Sequence, residues 1–150
     1  MKLVLFIALL LALSLPTLAQ RNVVQAIERD PIAEAEAKHN LEVAKNYFLL
    51  KKAYKAVLER FEETFAAYPD FSRMDEFLYY AGMSSWYLSN NEGKQKVDMK
   101  IADQAKKYEP GKLRVEAAAY LTQIGEKYPE SKFLAESKKA LAKINATPPQ

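Results

Sequence analysis

Few side chains in this sequence of 150 residues could perform chemistry. There is no cysteine, which excludes disulfides, thiolate metal sites and a cysteine nucleophile. His39 is the only histidine, and it lies between Lys38 and Asn40 near a predicted helix start, so we interpret it as a polar surface residue. The four glycines are isolated and form no phosphate-binding loop. The sequence therefore predicts no catalytic residue, no metal site and no cofactor.

Paired carboxylates and two serines are the remaining candidates for acid–base or nucleophilic work. The acidic pairs are Glu34/Glu36, Glu62/Glu63 and Asp75/Glu76. Because lysines lie nearby on predicted helix faces, we interpret these pairs as solvated charge. Ser72 and Ser131 each follow a Tyr-Pro pair and precede an amphipathic segment. That is the position of a helix N-cap, so both serines are predicted to be caps.

Aromatic side chains are concentrated between Tyr47 and Tyr87, and most are expected to form the core. Two adjacent pairs stand out, and they are Tyr79-Tyr80 and Trp86-Tyr87. Neighbours on a helix are about 100° apart, so one member of each pair is expected to face outward. Exposed Tyr and Trp are typical anchors of protein interfaces, which makes these four the candidate partner-binding residues. The alternative places all four in the core or at its boundary.

Amphipathic helices must position these residues. Asp30-Pro31 is predicted to start the first helix, since Asp caps free amides and Pro tolerates the first helical position. Apolar residues recur at spacings of three and four through most of the chain, which indicates further helices. The predicted boundaries are a break near 50–52, helix ends at Pro69 and Pro129, a loop at 89–93, a mobile or partly helical insertion at 94–111 and a frayed tail at 146–150.

The two Tyr-Pro pairs mark an internal repeat. When they are aligned, Val57, Phe61 and Pro69 correspond to Ala117, Leu121 and Pro129. A helical hairpin of this kind buries its apolar face by stacking on another hairpin. The sequence therefore predicts an all-α, tetratricopeptide-like solenoid of about two to three repeats over residues 31–145.

The same residues carry a family resemblance. The spacing of a tetratricopeptide repeat is found in one set of residues: Leu41, Ala44, Phe48, Tyr54, Val57, Phe61 and Pro69. The first helix of a second repeat is matched by Leu78, Ala81 and Gly82. The stretch KKAYKAVLERFEETFAAYPDFSRMDEFLYYAG resembles the BamD (YfiO) family of outer-membrane assembly lipoproteins, and the later YPESKFLAESKKALAKI is similar to the repeat end of that family. The resemblance covers about 33–82 and 113–144.

The chain departs from the family pattern at three places. Lys45 stands where a small residue is usual in the first helix of the repeat. Ser85 stands where an aromatic residue is usual in the second repeat, with Trp86 beside it. The cysteine that would carry the lipid of this family is absent, and Gln20 occupies its place.

The first segment, MKLVLFIALLLALSLPTLAQ, has the composition of a secretory signal peptide. Lys2 precedes an apolar run over 3–15, and small residues precede a cut between Ala19 and Gln20. The apolar run is short for a membrane span, although an uncleaved anchor is the alternative. We therefore expect an exported protein with a signal peptide at 1–19 and a lead-in at 20–30. It would be located in the periplasm, with possible association with the outer membrane.

The net charge of +3 is small and interspersed, so no nucleic-acid binding is predicted. The resemblance implies a non-catalytic scaffold that binds protein partners, with components of outer-membrane β-barrel assembly as the implied partners. Alternatives are a periplasmic adaptor of cell-wall or Tol-type complexes, or an envelope enzyme module. The basic last segment contains Lys132, Lys138, Lys139 and Lys143. It is interpreted as a solvated face, with peripheral contact to anionic lipid as the alternative.

Overall fold

The computed structural model describes residues 29–147. The predicted signal peptide, its cleavage site between Ala19 and Gln20, most of the lead-in and residues 148–150 lie outside this range. The described elements are α1 (Pro31–Asn46), a π-helical turn (Tyr47–Lys51), α2 (Tyr54–Ala67), α3 (Met74–Ser89), α4 (Ala102–Lys107), α5 (Pro110–Lys127) and α6 (Leu134–Ala146). No strand occurs within residues 29–147, and the predicted all-α class is confirmed.

Helix α1 begins where the sequence predicted it. The Asp30 carboxylate accepts a hydrogen bond from the backbone N–H of Ile32 at 2.9 Å, and Pro31 occupies the first helical position. Proline fits there because its missing N–H would have no helical partner. Glu34 adds an acidic side chain to the first turn, next to the positive end of the helix dipole.

The predicted break near residue 50 is the π-helical turn. Lys52 directly follows it with φ 49° in the left-handed region, which ends the helical run. The backbone N–H of Ala53 donates to the carbonyl of Tyr47 at 3.0 Å and closes the turn. Helix α2 then starts at Tyr54, so the chain reverses with no proline or glycine in the turn itself.

The helices form two hairpins and the first helix of a third. Helix α1 pairs with α2, and α3 pairs with α5 through the most extensive contact in the described chain. Helix α2 joins the two hairpins by packing on α3, and α6 packs on α5. Contacts of α1 with α3 and of α3 with α6 place these three on one side of the molecule, which we call the first-helix face. The arrangement is compatible with the predicted tetratricopeptide-like solenoid of two to three repeats.

The two Tyr-Pro turns have the same backbone geometry. Tyr68 and Tyr128 have φ/ψ of −138°/65° and −132°/61°. Each N–H donates to the carbonyl four residues earlier, in Thr64 at 2.7 Å and in Ile124 at 3.0 Å. The sequence equivalence between the two repeats is thus reproduced in the backbone.

The predicted capping role is wrong for Ser72, whose hydroxyl donates to Glu34, whereas the Ser131 hydroxyl accepts from the backbone N–H of Phe133, two residues on, as a cap does. Helices α3 and α6 have Arg73 and Phe133 at their N-cap positions, and neither makes a side-chain capping bond. A further turn separates each Tyr-Pro pair from the next helix, so the helix starts later than the serine.

Both serines also connect successive first helices. The Ser72 hydroxyl donates to the Glu34 carboxylate in the first turn of α1. The Ser131 hydroxyl donates to the Asp75 carboxylate in the first turn of α3 and accepts from the N–H of Phe133 at 3.1 Å. Each serine thus ties the start of a repeat to the start of the repeat before it.

Most of the predicted packing residues are buried. They are Leu41, Ala44, Tyr54, Val57, Phe61, Leu78, Ala81, Gly82, Ala117 and Leu121. Phe48 is half-buried against the core. Pro69 and Pro129 are exposed, so the structure assigns them to helix termination and not to repeat packing.

Gly82 sets the distance between α3 and α5. A Cβ at this position would lie 2.8 Å from Cγ of Leu121 and 3.3 Å from the carbonyl oxygen of Ala117. Real Cβ atoms do not tolerate the shorter distance, so the glycine permits the close approach that its place in the sequence suggested.

The predicted insertion ends two residues early. Pro110 and Gly111 are the first residues of α5, and the Glu109 carboxylate caps them by accepting from the N–H groups of Gly111 at 2.9 Å and Lys112 at 2.5 Å. Proline at the first helical position explains why Glu109-Pro110-Gly111 is a helix start and not a break.

The insertion is held against α2. The N–H of Lys94 donates to the carbonyl of Lys52 at 2.9 Å, and Gln95 Oε1 accepts from the N–H of Ala56 at 3.1 Å. Gly93 has φ 94° and lets the chain pass close to Tyr54. Its one helical part is α4.

The predicted tail begins later than expected. Ala146 is the last residue of α6, and the N–H of Thr147 donates to the carbonyl of Lys143 at 3.1 Å. Among residues 29–147, no helix is both long and apolar enough to span a bilayer.

Candidate functional site

A groove of about 320 Å³ lies between α3 and α6 on the first-helix face. Its lining residues are Tyr79, Met83, Trp86 and Tyr87 from α3, and Glu136, Lys139, Ala140 and Lys143 from α6. We call it the aromatic groove. It combines three of the four predicted partner-binding residues with two lysines of the last helix.

Tyr80 is the predicted site residue that does not reach the groove. Its side chain is 8% exposed, and its ring centroid lies 5.1 Å from that of Phe48 in the core. Tyr79, its neighbour, is half-buried and lines the groove. This adjacent pair is therefore divided between the core and the surface, as predicted, whereas Trp86 and Tyr87 are both half-buried and both line the groove.

Tyr79 is held in place by aromatic stacking. Its ring lies 4.8 Å from that of Phe133 with an interplanar angle of 23°. Burial, together with the neighbouring Glu136 carboxylate, raises the pKa of Tyr79 to about 12. The phenol is therefore neutral at physiological pH and keeps its proton as a hydrogen-bond donor.

Trp86 and Tyr87 are also supported from outside the groove. The guanidinium carbon of Arg114 lies 5.3 Å from the Trp86 ring centroid, which is a cation–π contact between α5 and α3. Tyr87 stacks on Tyr54 with ring centroids 5.0 Å apart. Aromatic side chains fixed in this way lose little entropy when they bind a partner.

The α6 side of the groove is positively charged. Lys139 and Lys143 are exposed and four residues apart, so they lie on one side of the helix, with Glu136 in the turn before them. In the sequence, these lysines have the pattern of a solvated face, and nothing there connects them with the aromatic residues of α3. Only the packing of α6 against the second hairpin brings the two sets together.

A buried charge network lies on the same face, between α1 and α3. Glu76 is 3% exposed, so its interpretation as solvated charge is wrong. Its carboxylate contacts Lys45 Nζ at 3.1 Å and Arg73 Nη2 at 2.6 Å. Glu42 contacts the same two cations. Lys45 stands where the family pattern has a small residue, and this departure was the signal in the sequence.

The network favours the charged forms of Lys45 and Glu42. Burial alone would lower the pKa of Lys45, but the hydrogen bond to Glu76 and the attraction of Glu76 and Glu42 raise it. For Glu42, burial would raise the pKa, yet the hydrogen bond from Arg73 and the attraction of Lys45 lower it. Mutually paired charges of this kind suit the joining of two repeats better than proton transfer.

The other candidate groups have ordinary surroundings. His39 is exposed on α1. Glu62 contacts Lys107 Nζ at 2.8 Å, and Glu63 contacts Arg60 Nη1 at 2.8 Å. Across residues 29–147, no three His, Asp or Glu side chains are grouped so that they could hold a metal ion.

The fold and the groove define an all-helical protein that presents an aromatic and basic groove on one face. No family model matches the chain, and neither the curated proteins nor the solved structures contain a match.

Proposed function

We propose that this protein is a non-catalytic scaffold exported to the cell envelope, which holds a segment of a partner protein in the aromatic groove. The observation that carries the proposal is the set of half-buried aromatic rings on α3, each supported from behind, opposite two exposed lysines on α6. Aromatic residues in partly buried positions are the side chains that most often dominate protein interfaces.

The dimensions of the groove favour a peptide segment. Its aromatic residues extend from Tyr79 to Tyr87, a separation of about 12 Å along the axis of α3. That length fits two turns of a helix or a short extended strand, which are the forms in which peptides bind to helical grooves. The lysines favour a segment with acidic side chains beside its apolar anchors.

The resemblance to the BamD family directs the proposal to outer-membrane β-barrel assembly. It rests on the motifs around the two Tyr-Pro turns, whose backbone geometry is repeated in the structure. The alternative is a periplasmic adaptor of cell-wall or Tol-type complexes, whose repeats end in a similar way. Both would use the groove, so the identity of the captured partner separates them.

The test is crosslinking in the native envelope with a C-terminal tag, followed by mass spectrometry of the captured proteins. Trp86→Ala removes one groove anchor, and Val115→Ala is the control because Val115 is 70% exposed and does not line the groove. We expect wild type and Val115→Ala to capture β-barrel assembly proteins, and Trp86→Ala to capture much less.

Capture of Tol or cell-wall proteins would support the adaptor and reject the assembly role. Equal capture by all three proteins would reject the groove as the binding site. Far-ultraviolet circular dichroism of each variant verifies that the helices are retained.

A further inference from the structure

A second surface lies at the C-terminal end of α1. Leu49 and Leu50 belong to the π-helical turn and are 58% and 73% exposed. A single exposed leucine is ordinary, whereas two adjacent ones at the tip of a hairpin form an apolar projection. Neither residue packs in the core of the described chain.

The turn holds these leucines in a fixed position. The N–H of Ala53 donates to the carbonyl of Tyr47 at 3.0 Å, and Lys52 is in the left-handed region. The insertion adds a second support, because the N–H of Lys94 donates to the carbonyl of Lys52 at 2.9 Å. π-Helical turns are rare and are often found at functional sites.

Positive charge surrounds the two leucines. Lys51 and Lys52 follow them directly, Lys94 is joined to Lys52 by the backbone bond, and all three side chains are exposed. Lys51 Nζ lies 5.1 Å from the ring centroid of Tyr47. Glu92 is the acidic side chain of the adjoining loop, so the net charge of these four side chains remains positive. We call Leu49, Leu50, Lys51, Lys52 and Lys94 the leucine–lysine tip.

We propose that the leucine–lysine tip docks the protein on an anionic lipid surface. The two leucines enter the boundary between head groups and acyl chains, and the lysines contact the anionic head groups. Apolar insertion combined with electrostatic attraction is how peripheral proteins bind such surfaces.

A protein partner fits the tip less well than a lipid surface does. Two leucines offer far less than the roughly 800 Å² that each partner contributes to a stable protein interface. A second copy of the chain would bring the same lysines face to face, and like charges repel. A lipid surface needs neither a large complementary patch nor a fixed register.

The tip lies far from the first Tyr-Pro turn. The start of α1 lies beside the first Tyr-Pro turn, since the carboxylates of Glu34 and Glu36 contact Ser72 and Tyr68. The tip is at the opposite end of this 16-residue helix, about 24 Å away. This proposal does not depend on what occupies the groove.

The experiment measures binding of the exported protein, as recovered from cells, to vesicles by co-sedimentation. One set of vesicles contains equal parts of phosphatidylglycerol and phosphatidylcholine, and the other contains phosphatidylcholine alone. The variants are Leu49→Ser/Leu50→Ser, Lys51→Gln/Lys52→Gln and Ile32→Ser. Ile32 is 71% exposed at the opposite end of α1, which makes it a matched control for Leu50. All variants carry the same N-terminus, so any contribution of the N-terminal segment is common to them.

We expect the leucine variant to lower the partition coefficient on anionic vesicles by about tenfold or more, with Ile32→Ser unchanged. The lysine variant should lose most of the difference between anionic and neutral vesicles, as should wild type in high salt. Binding of the leucine variant equal to wild type would overturn the proposal. Wild type that binds neither set of vesicles would also overturn the proposal. Binding of an acidic protein through the tip would then show that the tip docks a protein.

Discussion

At the scale of single residues, Gly82 and Gly125 differ in what lies beside them. A Cβ at Gly82 would be 2.8 Å from Leu121 Cγ, whereas a Cβ at Gly125 would be 3.7 Å from Leu134 Cδ1, an ordinary contact. Both glycines lie in helices, where alanine is otherwise preferred. The surroundings therefore decide whether alanine at each position raises or lowers the free energy of unfolding.

We predict that Gly82→Ala lowers the free energy of unfolding by about 1–3 kcal/mol, because α3 and α5 must separate. Gly125→Ala should leave it unchanged or raise it by about 0.5–1 kcal/mol. Urea unfolding followed by circular dichroism measures both. A Gly82→Ala protein as stable as wild type would show that close approach at this position is not needed.

Glu42 gives a residue-scale prediction about pH. Its pKa is below the ordinary value of 4.5 in the folded protein. The stability it contributes is therefore present above pH 4.5 and is lost as the pH falls through the lower, folded pKa. We expect wild type to have a higher Tm than Glu42→Gln at pH 7, and the difference to disappear in acid. A Tm difference that stays constant down to pH 3 would contradict the pairing of Glu42 with Arg73 and Lys45.

At the scale of elements, the insertion depends on one backbone conformation. Gly93 has φ 94°, and a Cβ there would lie 2.6 Å from Tyr54 Cδ2 and 2.8 Å from the carbonyl oxygen of Lys52. The neighbouring amide of Lys94 donates to that same carbonyl. The glycine thus lets the insertion reach the start of α2.

We predict that Gly93→Ala detaches this part of the insertion and lowers the free energy of unfolding by about 1–3 kcal/mol. Hydrogen exchange at the Lys94 amide should become much faster, while the amides in the middle of α5 exchange slowly as before. Unchanged protection at Lys94 would show that the backbone bond survives without the glycine.

The helices were the most predictable elements. Asp30-Pro31 and the two Tyr-Pro pairs gave the start of α1 and the ends of α2 and α5, because proline and capping act locally. The starts of α3 and α6 were predicted too early, because the extra turn before each helix is not marked by any single residue type. The insertion had no clear apolar period, and its position depends on bonds to distant residues of α2.

At the scale of the whole molecule, the sequence predicted the aromatic side of the candidate site but not the basic side. The adjacent aromatic pairs identified Tyr79, Trp86 and Tyr87, but sequence spacing could not decide that Tyr80 is the member that turns inward. Lys139 joins the site only because α6 packs beside α3. The burial of Glu76 likewise depends on Lys45 from another helix. Contacts between repeats are tertiary, and local patterns do not specify them.

Photo-crosslinking at two neighbouring positions tests most directly whether a partner occupies the aromatic groove. Lys139 lines the groove, whereas Lys138 is equally part of α6 and exposed but does not line it. A photoreactive amino acid is placed at one position or the other, and the protein is irradiated in intact cells. We expect one dominant adduct from position 139, to the proposed outer-membrane β-barrel assembly partner, and little from position 138. Equal adducts at both positions, or none at position 139, would contradict occupation of the groove.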